Sequence, residues 1–161
     1  MVAGLSGSIA LVVLLAFVLL TWQLRRVVKA QSDRTLAQAD SILQADIRQV
    51  PVIVKSLQPF WPEVVKRLEQ YKNKKDLTEV ERLRLSLALV SHDKAYIEPL
   101  QKKLLTCKPV ELIVIRDALF PYRDDLESDL WSIVIDSEAK RDHRLRAACA
   151  LATFDPSSSQ W

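Results

Sequence analysis

Arg82-Leu83-Arg84-Leu85-Ser86-Leu87-Ala88-Leu89 returns 62 residues later as Arg144-Leu145-Arg146-Ala147-Ala148-Cys149-Ala150-Leu151. The match extends without gaps: residues 50–93 align with residues 112–155. Val52 meets Val114, Ile53 meets Ile115 and Leu57 meets Leu119. Pro59 meets Pro121, Phe60 meets Tyr122, Leu68 meets Leu130 and Asp93 meets Asp155. Chance alignment of helical sequences is the alternative. Shared L-x-P-aromatic and RLRxxxAL strings at one register argue against it.

Between the Pro and Asp breaks, apolar residues recur at helical spacing. Expected helices are Val50–Leu57, Pro62–Tyr71, Thr78–Val90, Pro109–Leu119, Tyr122–Ile135 and Ala139–Ala152, with one more around Ile97–Leu105 whose start is blurred by Pro99. Pro62 suits a first helical turn. Thr78 and Glu81 have capping-box spacing, and Asp93 is placed to cap the next helix. Lys72–Asp76 reads as a solvated loop. Val80, Leu83, Leu87 and Val90 make one face of their helix. Leu85, Ala88 and Leu89 make the rest nearly as apolar, as in a helix buried between neighbours. A 62-residue period with four short helices is two hairpins, the size of HEAT-like repeats in α-solenoids. Phe154 to Trp161 is expected to form no cap, so the array reads as a stub or the beginning of a longer one.

The first 24 residues carry no charged side chain, and Ile9–Leu20 carries no polar one. About 20 helical residues cross a bilayer core, so residues 1–24 read as a transmembrane helix. Trp22 stands at an interface, with Arg25, Arg26 and Lys29 as a basic flank attracted to anionic head groups. A cleaved secretory signal is the competing reading. It lacks a charged n-region and an A-x-A site here. Residues 25–49 read as a juxtamembrane amphipathic helix, with Leu36, Leu43, Ile47 and Val50 on one side. The fold class is therefore all-α: an N-terminal transmembrane helix, then a HEAT-like α-solenoid of short hairpins over residues 50–161.

Composition narrows the function. The net charge is +3, partly beside the membrane, so no nucleic-acid partner is indicated. Only two glycines occur, both in the apolar segment, which disfavours a hairpin-rich β domain. Cys107 and Cys149 have no CxxC neighbour and suggest neither zinc nor a disulfide. Cys149 lies in an apolar run and is expected to be a buried, small hydrophobe.

Val50-Pro51-Val52-Ile53-Val54-Lys55-Ser56-Leu57, Arg82–Leu89, Ile115-Arg116-Asp117-Ala118-Leu119 and the run from Arg144 through Phe154-Asp155-Pro156 carry a resemblance. They resemble the region downstream of the transmembrane helix in large bacterial receptor-like serine/threonine kinases. In that family a cytoplasmic kinase domain precedes the anchor. A HEAT-like region follows it and often leads to a formylglycine-generating-enzyme-like, sulfatase-modifying-factor domain. The resemblance covers nearly the whole chain, and the Phe-Asp-Pro…Trp run is its most specific part. No Gly-rich loop, VAIK-like lysine, HRD or DFG string is present, so no catalytic residue is carried over.

Other chemistry has plainer explanations. His92-Asp93 fits a turn and a cap. His143 sits on a solvated helix face. Asp124, Asp125, Glu127 and Asp129 complement a helix N-terminus. Trp61 and Trp131 read as packing residues. The polar residues of most interest are Arg82 and Arg84, repeated as Arg144 and Arg146. Two residues apart, they diverge by about 200° on a helix. One of each pair is expected to bond a neighbouring carboxylate such as Asp117 in an inter-repeat ladder, or to form a partner-binding ridge.

The expected function is a membrane-anchored interaction or sensor module without cofactor or metal, partnered by the bilayer and by a protein. The other reading is a fragment of a larger kinase or formylglycine-enzyme-like polypeptide. Gly4 and Ser8 also allow a small-xxx-small contact and a homo-oligomer. Flank charges favour the array in the cytoplasm, whereas the family resemblance implies the outer side of a bacterial cell membrane.

Overall fold

The computed structural model describes residues 33–72, 74 and 76–161. The chain divides into two compact units, residues 1–37 and 38–161. The expected transmembrane helix at 1–24, with Trp22, Arg25, Arg26 and Lys29, lies outside the described residues. Among the described residues, no helix is long and apolar enough to cross a membrane.

Prolines and short polar side chains set the helix limits. Residues 33–41 are helical (α1). The remaining helices are α2 (Val50–Leu57), α3 (Trp61–Lys72), α4 (Glu79–Leu89), α5 (Ile97–Leu104), α6 (Pro109–Leu119), α7 (Arg123–Ile135) and α8 (Arg141–Phe154). No strand occurs among the described residues, and the fold is all-α. Pro51 and Pro62 are second in their helices, Pro109 is first in α6, and Pro99 is third in α5. None of these positions requires a backbone N–H for the helix. Thr78 Oγ1 accepts the Glu81 N–H, and the Glu81 carboxylate accepts the Thr78 N–H, completing the capping box. The Asp93 carboxylate accepts the Ala95 N–H at the turn leading into α5.

The helices keep the 62-residue period. α2 repeats inside α6, α3 repeats as α7, and α4 repeats inside α8. The 3₁₀ turns Gln58–Phe60 and Phe120–Tyr122, each with a central proline, occupy the same register between them. Packing repeats with them. Leu57, Leu68 and Leu89 are fully buried, and so are Leu119, Leu130 and Leu151, their partners in the alignment. Each such leucine contributes roughly 2 kcal/mol of transfer free energy. The main helix pairings are α7 with α8, α5 with α6, and α2 with α4.

Three expectations need correction. The helix read through residue 49 ends at 41. The chain then bends to bury Ile42 and Leu43 and restarts as a 3₁₀ turn at Ile47–Gln49, where the Asp46 carboxylate accepts the Arg48 N–H. Cys149 is exposed, and the buried thiol is Cys107. Ala147, Ala150 and Leu151 take the inner face of α8 at spacings of three and four, which turns Cys149 outward. The tail does close on the body. Phe154 is buried, the Trp161 ring meets Trp131 edge-on with centroids 4.8 Å apart, and Trp161 Nε1–H donates to the Asp155 carbonyl.

Candidate functional site

A groove between α2, the end of α4 and α6 has a volume of about 730 Å³. Helical spacing builds its two walls. Pro51, Val54, Lys55 and Gln58 share one face of α2 and its following turn, while Ile113, Val114, Asp117, Ala118 and Pro121 share one face of α6 and its following turn. Leu87 of α4 and Val90 just after it form the floor and are buried. The walls are repeat-related: Pro51 corresponds to Ile113 and Lys55 to Asp117. An apolar floor thus lies between a cationic and an anionic edge.

The edges differ in how far their charges are already satisfied. Asp117 accepts from Arg116 Nε at 2.9 Å and Nη2 at 2.7 Å. Arg48, at the α2 end, donates to Asp46 through Nε at 3.0 Å and Nη2 at 3.1 Å. Those bonds and the Arg48 backbone N–H draw the Asp46 carboxyl down to about 2. Among the described residues the Lys55 side chain makes no hydrogen bond or ion pair, and it is exposed. It is the groove's uncommitted cation. No cluster of three or more His, Cys, Asp or Glu side chains is placed to hold a metal ion among the described residues. The groove lining includes no thiol, carboxylate pair or imidazole. Its chemistry is burial of apolar groups with charge at the rim.

Of the residues singled out from sequence, Asp117 lines this groove. The arginines lie elsewhere, and the acceptors found for them are mainly backbone carbonyls. Arg82 Nε–H donates to the Leu77 carbonyl at 3.2 Å. Arg144 Nε–H donates to the Val134 carbonyl at 3.0 Å. Arg84 Nη1 donates to the Leu43 carbonyl, and Arg146 Nε donates to the Cys107 carbonyl at 2.9 Å. Arg84 and Arg146 therefore reach equivalent places, the turns upstream of α2 and of α6. Arg146 Nη1 also approaches the Asp142 carboxylate at 3.7 Å.

A second polar cluster links residue 40 to α3. The Asp40 carboxylate accepts from Arg67 Nε and Nη2, each at 2.8 Å, and from the Tyr71 hydroxyl at 2.8 Å. The Arg67 bonds hold the Asp40 carboxyl below its ordinary value, with Tyr71 adding to the effect. Burial and the same carboxylate push the Tyr71 phenol up. This is a clip between helices.

Sequence reasoning missed Lys55, Pro51, Ile113 and Ser91 as groove residues. The available signal was the paired spacing 51/54/55/58 and 113/114/117/118/121, at one repeat register. No protein-family model, no curated protein and no solved structure matches this chain.

Proposed function

We propose that this chain is a membrane-tethered helical-repeat interaction module. Residues 50–161 form a short HEAT-like α-solenoid of helical hairpins. Residues 1–24 anchor it as a transmembrane helix, with Trp22, Arg25, Arg26 and Lys29 at the interface. Its role resembles that of the non-catalytic part of a receptor-like serine/threonine kinase: to hold and space a protein partner at a membrane face.

The groove between α2, α4 and α6 is the observation that carries this reading. An open apolar trough with charge only at its edges suits the side chains of a partner segment. Leu87, Val90, Val114 and Ala118 offer apolar contact, and Lys55 offers an exposed ammonium to an acidic residue of the partner.

A photo-crosslinking residue at Ala118, in the groove, tests the reading against the same residue at Ser128, on the exposed side of α7. Discrete protein adducts are expected at position 118 only, and Lys55→Glu is expected to reduce them. Equal adduct patterns at both positions refute the groove as the binding surface. Alkaline carbonate extraction tests the tether: release of the chain from membranes refutes it.

A further inference from the structure

The 62-residue translation carries α4 onto α8, and equivalent side chains on one face differ sharply in burial. Leu83 is 6 % exposed and Leu145 is 63 % exposed. Leu87 and Val90 are buried, while their equivalents Cys149 and Ala152 are exposed. On α4 the Glu79–Leu83 end of this face is covered by α5 of the next hairpin, and the Leu87–Val90 end forms the groove floor that α6 walls on one side. Leu83 shares a crevice with Leu100, and Leu87 lies beside Val114 at the groove floor. Lys103 Nζ completes the junction with an ion pair to Glu79 at 2.6 Å. The residue of α8 that corresponds to Glu79 is Arg141, so the charge presented to an incoming hairpin is inverted.

We infer that the Leu145–Cys149–Ala152 face of α8 docks a helical hairpin of a partner protein. The hairpin sits as α5–α6 sits on α4, with a carboxylate in place of Lys103 to meet Arg141. The inference rests on the repeat equivalence and is independent of what fills the groove between α2, α4 and α6. A second copy of this chain is a poor occupant. Its equivalent segment, residues 35–57, carries Gln38 where α5 has Leu100 and Ser41 where α5 has Lys103. It therefore offers neither the apolar anchor nor the acid.

Cys149 reports on the face directly, because it is exposed while Cys107 is buried. The probe is a synthetic peptide of residues 94–119 of this chain with Lys103→Glu, held helical by a hydrocarbon staple and checked by circular dichroism. The readout is the rate at which Cys149 of the full chain reacts with a thiol reagent. The peptide carrying Lys103→Glu is expected to slow the reaction at least tenfold, and the unsubstituted peptide much less. Arg141→Glu in the full chain is expected to reverse that order. A rate unaffected by either stapled peptide overturns the proposal, as does an order that Arg141→Glu leaves unchanged. A rate that falls with the chain's own concentration, without peptide, assigns the face to a second copy and also overturns it.

Discussion

Leu83→Ala and Leu145→Ala make the same chemical change at positions 62 residues apart, and the structure sets very different costs for them. Each removes three carbons, worth about 0.8 kcal/mol apiece when fully buried. Leu83 is 6 % exposed, so nearly all of that transfer energy is lost. Its neighbours Leu85, Leu87, Ala88 and Leu89 are buried as well, so the wall collapses little and a cavity contribution is added. About 3 kcal/mol is expected. Leu145 is 63 % exposed. Under half of the transfer energy is at stake and no enclosed cavity forms, so roughly 0.5–1 kcal/mol is expected. The assay is urea unfolding of the full chain, followed by circular dichroism at 222 nm. With a slope of about 2 kcal/mol per molar, Leu83→Ala is expected to lower the midpoint by about 1.5 M and Leu145→Ala by less than about 0.5 M. Equal shifts refute the reasoning. They would mean that the outer face of α8 is covered in solution or that the two positions are not equivalent.

Asp40→Asn is expected to destabilise the chain at pH 7, where the wild-type carboxylate accepts from Arg67 and Tyr71. The folded-state pKa of Asp40 is lowered from 3.8, chiefly by the Arg67 bonds. Its contribution is therefore full above about pH 5 and is lost as pH falls through the folded value. Wild type and variant should converge in thermal unfolding as pH falls through that folded value, and a gap unchanged at low pH refutes the pairing. Thr78→Ala removes the hydroxyl that accepts the Glu81 N–H and should cost about 1 kcal/mol in urea unfolding. Tyr122→Phe leaves the Val90 carbonyl without the hydroxyl that donates to it at 2.9 Å. A loss of about 1 kcal/mol is expected, whereas Phe60, the equivalent residue, already lacks that group. No loss in Tyr122→Phe would show that another donor replaces the phenol.

Much of the helix order was legible because the signals for it are local. Thr78 with Glu81, Asp93, and prolines at the first turns each act within about four residues of where they stand. The alignment of Leu57, Leu68 and Leu89 with Leu119, Leu130 and Leu151 likewise marked the deepest core positions. The bend after residue 41 was not legible, since Leu43 and Ile47 keep helical spacing across it. Cys149 was misread for a different reason. An apolar run on a helix covers every side of it, and only the neighbours decide which side is inner. The arginine acceptors were hidden because every residue carries a carbonyl. The sequence names carboxylates such as Asp117, but not the Leu43 or Cys107 carbonyl that folding brings within reach. Trp131 illustrates the same limit. Its packing role was expected, but its partners Trp161 and Asp155 depend on how the tail turns back.

The bond from Arg146 to the Cys107 carbonyl spans 39 residues, and the bond from Arg84 to the Leu43 carbonyl spans 41. Each fastens the last of three successive helices, α4 or α8, to the turn that precedes the first, α2 or α6. Local opening in a repeat array ordinarily proceeds hairpin by hairpin, because contacts reach little beyond the nearest neighbour. These two arginines oppose that by making α8 depend on the turn before α6, and α4 on the turn before α2. The cooperative units for opening are thus the three-helix segments α2–α4 and α6–α8. Amide protons of α6 and α8 should exchange at a common rate, even though the pair of helices α7 and α8 could otherwise come away first.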